Sequence, residues 1–175
     1  MANGGYFKWG IEIMDVGLSG ITAGDDTPTA LYYNMGINLK FGNYKAPVQL
    51  EMSVKPGVGY ISYMSTYYDT YDYGIGYSYS YSNDEETEET FFHMPVCAKL
   101  KLNICKSYSS MFYIAGIGTY NLVRNKDFED EFSIGGGAGV AWKKWDWFVL
   151  YYKQDFGKKR IIDGKYFATS FVYYF

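Results

Sequence analysis

Apolar and polar residues alternate with a period of two through most of this chain, and few folds accept that pattern over so many segments. Leu31, Tyr33, Met35, Ile37, Leu39 and Phe41 fall on one face; Tyr32, Asn34, Gly36, Asn38 and Lys40 fall on the other. The same rhythm returns in Val48, Leu50, Met52, Val54, Val58 and Tyr60, and again in Phe92, Met94, Val96, Ala98, Leu100 and Leu102. This is the signature of β-strands with one greasy face. The final segment, Lys165 to Phe175, carries Phe167, Thr169, Phe171, Tyr173 and Phe175 on a single face. A free edge strand of that kind would invite aggregation in water, so it must be paired and its apolar face covered.

The period and the turn signals predict eight strands, near 5–16, 30–42, 47–62, 90–103, 111–122, 131–142, 146–156 and 165–175. A chain of 175 residues accommodates them in one domain. Aromatic residues make up 21% of it, including 21 tyrosines, a composition suited to strands and membrane interfaces. A transmembrane helix needs about 20 consecutive apolar residues, and no such run exists. The opening M-A-N-G-G-Y has no charged segment followed by an apolar one, so the chain reads as a mature sequence. Within the fifth strand, Tyr113, Ala115 and Ile117 are expected on the outer face, with Gly116 and Gly118 inside. From Trp147 to Tyr152 both faces are apolar, and the period leaves them unassigned.

Connections alternate in length. Segments 43–46, 104–110 and 143–145 are short, while 17–29, 63–90, 123–130 and 157–164 are longer. All short turns then fall on the side of the termini, an asymmetry found in outer-membrane barrels with short periplasmic turns and long outer loops. Two aromatic girdles fit the same arrangement. Phe7, Trp9, Phe41, Trp142, Trp145, Trp147, Tyr173 and Phe175 mark the terminal side; Tyr33, Tyr60, Phe92, Tyr120, Phe132, Tyr152 and Phe167 mark the other. Strands of about ten residues tilted near 40° span the roughly 25 Å apolar band of such a barrel.

Alternation alone does not say which face is inside, since a soluble lipocalin-like barrel turns its apolar face inward. Three features favour the opposite. The polar face holds many glycines (Gly36, Gly57, Gly59, Gly116, Gly118, Gly135, Gly137), which suit a narrow lumen. The apolar face is bulkier than one eight-stranded interior can hold. The aromatics lie at strand ends, where a core would keep them central. The expected fold is therefore all-β: an eight-stranded antiparallel up-and-down transmembrane barrel of the bacterial outer membrane, monomeric or weakly associated, with its termini in the periplasm.

With the strands placed, the chain resembles the small outer-membrane β-barrel proteins of Bacteroidetes, the group that includes PorT-like proteins. The residues carrying the resemblance are F-K-W-G-I-E-I-M-D-V-G-L-S (7–19), V-K-P-G-V-G-Y (54–60), F-H-M-P-V-C-A-K-L-K-L (92–102) and F-Y-I-A-G-I-G-T-Y (112–120). To these add F-S-I-G-G-G-A-G-V-A-W (132–142), Y-Y-K-Q-D-F-G (151–157) and the terminal strand. The resemblance implies location and fold, and it carries no catalytic motif.

Lys8, Glu12, Lys40, Glu51, Lys55, His93, Lys99 and Lys101 share the lumen face. Buried charges need partners, so these residues read as a salt-bridge network filling a thin tube; the other reading is a basic constriction that selects anions. His93, the only histidine, could serve as a base toward Ser62 or Ser133 in a lipid-modifying enzyme, although no motif supports that. Cys97 and Cys105 lie too far apart along one strand for a disulfide, and no metal site or cofactor is expected.

Segment 63–89 reads as a long extracellular loop, with strands three and four continuing as a protruding hairpin that turns near Gly74–Gly76. Tyr71, Tyr73, Tyr77, Tyr79 and Tyr81 offer a recognition surface there, since tyrosine gives large contact area at low entropic cost. Its acidic residues (Asp69, Asp72, Asp84, Glu85, Glu86, Glu88, Glu89) read equally as a solvated tip that repels anionic surface molecules. Lys158, Lys159 and Arg160 could meet lipopolysaccharide phosphates. Dispersed basic residues and a net charge of −3 argue against nucleic acid. The function expected is that of a non-enzymatic surface barrel with structural, adhesive or partner-binding loops. The alternatives are a conduit for a small apolar or anionic molecule, and the enzyme centred on His93.

Overall fold

In the computed structural model every element is a β-strand, and the description covers residues 7–19, 29–42, 46–72, 78–107, 109–124, 131–156 and 162–175. The strands are β1 (Phe7–Ser19), β2 (Thr29–Phe41), β3 (Val48–Val54), β4 (Gly57–Asp72), β5 (Ser78–Lys106), β6 (Ser110–Arg124), β7 (Glu131–Trp142), β8 (Trp145–Phe156) and β9 (Ile162–Tyr174). All pairings are antiparallel. The sheet closes because β1 pairs with both β2 and β9, and Phe175 N donates to Trp9 O at 3.1 Å.

Nine strands make eight staves. β3 and β4 are one stave interrupted at Lys55–Pro56, where proline has no N–H for the ladder. The register on both neighbours continues unshifted across this gap. Lys55 N still donates to Pro95 O at 2.9 Å, and Met35 N to Pro56 O at 3.2 Å. The break is chemical, with no change of direction.

The apolar face is the outer one. Ile37, Leu100 and Ile134 are 60%, 51% and 70% exposed, whereas Lys101, Glu12 and Glu51 are at most 1% exposed. In a soluble barrel those values would be reversed. The girdle aromatics Phe7, Trp9, Trp142 and Trp147 at the short-turn end, with Tyr33, Phe92, Phe132 and Phe167 at the long-loop end, are all on this outer surface. Trp147 Nε1 donates to Thr169 Oγ1 at 2.8 Å, so the indole N–H on the outer face keeps a partner within the wall.

The structure overturns one sequence reading, matches a second and resolves a third. Tyr113, Ala115 and Ile117 face the lumen (1%, 7% and 5% exposed), and Phe112 and Ile114 face out. Gly116 and Gly118 therefore lie on the outer parity. The cause is volume: the Tyr113 ring fills the lumen over Gly139, where an added Cβ would come within 2.4 Å of it. Second, strands three and four continue past 62 and 90 as a hairpin, as the sequence predicts. β4 and β5 stay paired from Tyr63↔Thr87 to Asp72↔Ser78, well past their other neighbours, as a two-stranded ribbon. Its tip, 73–77, lies outside the described residues. Third, the unassigned stretch of β8 alternates cleanly, with Phe148 and Leu150 inside and Trp147, Val149 and Tyr151 outside.

Candidate functional site: the lumen and the ribbon above it

The strand period brings Lys40, Lys55, Lys99, Lys101, Glu12 and Glu51 into the lumen, all buried; Lys8 sits half-buried at the short-turn mouth. Two further carboxylates join them that the sequence reading did not include. Asp15 arrives through a β-bulge. The β1 register shifts by one residue between Glu12 and Asp15 against β2, and between Glu12 and Met14 against β9. Ile13 and Met14 consequently both point outward, and Glu12 and Asp15 both point in. Asp146 follows Trp145 at the start of β8 and is 1% exposed.

These additions decide the electrostatics. Lys55 Nζ lies 3.0 Å from Glu12 Oε1 and 3.1 Å from Asp15 Oδ2. Lys99 Nζ lies 2.9 Å from Glu51 Oε2, and Lys101 bridges Glu51 and Asp146. Lys40 stands 3.6 Å from Glu51 and 3.9 Å from Asp146. Four lysines meet four carboxylates in this network, so it has no net charge. An excess of positive charge, which an anion-selecting constriction requires, is missing from it.

Neutral donors complete the set. Asn38 Nδ2 donates to Glu12 Oε2 at 2.7 Å and Ser170 Oγ to the other oxygen; Asn34 Nδ2 donates to Asp15 at 3.2 Å. Tyr113 donates its hydroxyl hydrogen to Asp146, and its ring stacks on Phe148 at 5.8 Å. Lys99 and Lys101 also sit over the Phe148 and Tyr113 rings, at 4.6 and 4.3 Å. Buried charges kept in this way resist both hydration and displacement.

Toward the long-loop end, rings replace ions. Tyr32, Phe91 and Tyr166 are each at most 5% exposed, and Ile61 is fully enclosed. His93 packs edge-on to Tyr32 at 5.6 Å and to Phe91 at 5.5 Å. Its Nδ1 donates to Asn121 Oδ1 at 3.2 Å. Ser133 is buried on β7 with no hydrogen-bond partner for its hydroxyl, and His93 has none for Nε2. His93 and Ser133 are thus both buried, at 2% and 4% exposure, and Ser62 is half-buried. A cavity of about 20 Å³ beneath it, bordered by Asp15, Asn34 and Lys55, has room for one water.

The ribbon sorts its residues by register. Its register sets Tyr63 opposite Thr87, Tyr67 opposite Asn83, Asp69 opposite Tyr81 and Tyr71 opposite Tyr79. The acidic residues pair as Asp72↔Ser78, Thr66↔Asp84, Met64↔Glu86 and Ser62↔Glu88, and Glu88 is exposed. Tyr73, Tyr77, Lys158, Lys159 and Arg160 lie outside the described residues. Cys97 is buried and Cys105 exposed, both as free thiols. Among the described residues no group of three metal-ligating side chains occurs.

No protein-family model matches the chain, and no curated protein does. Among solved structures, LpxR from Salmonella typhimurium aligns over 86% of this chain and 74% of its own, with 7% identity and a TM-score of 0.37. The translocator domain of the autotransporter NalP from Neisseria meningitidis aligns over 99% of this chain and 90% of its own, with 11% identity and a TM-score of 0.30. The likeness to both is one of fold alone.

Proposed function

We propose that this chain is a non-enzymatic protein of the bacterial outer membrane, with a lumen that is a structural plug and a ribbon that presents a tyrosine surface to a partner outside the cell. The kinship with small Bacteroidetes barrels belongs to the same reading. The observation that carries it is the neutral four-and-four ion network beneath a layer of packed rings. A conduit would need a continuous wet path, and the lumenal space bordered by His93 admits about one water.

Two measurements test the two halves of this reading. Reconstituted in a planar bilayer, the folded barrel passes no stepwise current above that of the bare membrane; steady steps would favour the conduit. Replacing 63–89 by a short turn leaves a folded barrel and abolishes surface binding by whole cells that display it. Unchanged binding would move the recognition role away from the ribbon.

A further inference from the structure

The outer wall carries a depression whose exposed lining is apolar. Ile11, Ile13, Trp145, Tyr173 and Phe175 border a groove of about 370 Å³ across the β1–β9–β8 seam, within the range of small-molecule sites. The bulge in β1 helps to form it, because it sets Ile13 and Met14 side by side on the outer face. At the short-turn end stands a cation: Lys144 Nζ is 3.2 Å from Tyr173 Oη and 5.6 Å above its ring. Around the same indole, on the mouth side, a second depression is bordered by Lys8, Lys40, Lys143 and Trp145. No aspartate or glutamate borders either depression.

We propose that this seam binds one anionic phospholipid of the inner leaflet, its acyl chain lying in the groove and its phosphate held by Lys143 and Lys144. Charge and shape together select that occupant. A soluble anion would use the lysines and leave the groove empty, and a zwitterionic lipid would use the groove without a net gain at the lysines. Basic side chains next to apolar intramembrane surface are the usual way that acidic head groups are recognised, each worth about 1 kcal/mol. Trp145 joins the two parts by bordering both depressions. The inference rests on the outer-membrane placement proposed above and is independent of the ribbon.

The test is native mass spectrometry of the detergent-solubilised full chain, offered phosphatidylglycerol and phosphatidylcholine in equal amounts, with heat-modifiable gel mobility reporting that each variant is folded. The wild type retains one phosphatidylglycerol in preference. Lys143→Gln with Lys144→Gln lowers that preference roughly tenfold or more, as does about 1 M salt, where the Debye length is about 3 Å. Ile13→Trp fills the groove and reduces retention of both lipids. Equal retention of the two lipids by wild type, or a preference unchanged in the lysine variant or in salt, overturns the site. Undiminished binding by Ile13→Trp overturns the groove's part in it. A barrel that stays folded without detergent and retains neither lipid would instead overturn the membrane placement.

Discussion

Lys55 Nζ lies 3.1 Å from Asp15 Oδ2, and that contact exists because β1 carries one residue more than its partners. The extra residue turns an outward aspartate inward, where Lys55 holds it together with Glu12. Lys55→Met leaves two buried carboxylates without their cation and costs about 3–5 kcal/mol, the range for breaking a buried pair. Asp15→Asn costs less, because Lys55 keeps Glu12 at 3.0 Å. Urea unfolding in vesicles would read the order of the two; the reverse order would mean that Glu12 and Asp15 do not share Lys55.

The bulge also has an outer side. Tyr33 donates its hydroxyl hydrogen to Ile13 O at 3.1 Å, on a face where no water competes. Tyr33→Phe keeps the ring and strands that carbonyl, with an expected loss of about 1–3 kcal/mol. An unchanged unfolding midpoint would show that the carbonyl finds another donor.

Glycines of the two faces respond oppositely to a methyl group. At Gly139 an added Cβ would meet Tyr113 Cζ at 2.4 Å and Trp147 O at 2.6 Å, whereas at Gly116 nothing lies within 4 Å. Gly139→Ala is expected to destabilise by about 1–3 kcal/mol. Gly116→Ala is expected to be neutral or to stabilise by about 0.4–1 kcal/mol. The same unfolding assay compares them, and equal losses would contradict the parity described for β6 and β7.

The two thiols should differ in reactivity. Cys105 is exposed beside a short turn and Cys97 faces the packed lumen. A maleimide labels Cys105 in the folded barrel, and Cys97 only after denaturation. Prompt double labelling would reveal a wetter interior than the one described.

His93→Ala removes a ring that contacts Tyr32, Phe91 and Asn121. The expected consequence is lost stability with no change in the lipid A profile of producing cells, read by mass spectrometry. A modification present with wild type and absent with the variant would make the barrel an enzyme.

Most of the architecture was legible because a period of two leaves little freedom: a one-residue slip exposes an entire greasy face. What escaped were places where that period is broken or uninformative. The bulge at Ile13–Met14 reset the parity behind it and hid Asp15. Asp146 was hidden differently, as a residue next to a turn. In β6 and β8 both faces are apolar, because the lumen itself takes Tyr113, Phe148 and Leu150, so hydrophobicity could not separate inside from outside. Glycine misled for the same reason. Gly139 is inside to admit a neighbour's ring, yet Gly116 is outside with open space. A search for residues opposite large aromatics would have distinguished the two.

β5 runs without interruption from Ser78 to Lys106, roughly 95 Å at about 3.3 Å per residue. No loop separates the portion above the rim from the portion inside the wall. Anything that grips the ribbon therefore pulls directly on the strand bearing Lys99 and Lys101. A pull along the ribbon would reach the β5 ladders with β3 and β6 and the lysines that tie this strand to Glu51 and Asp146.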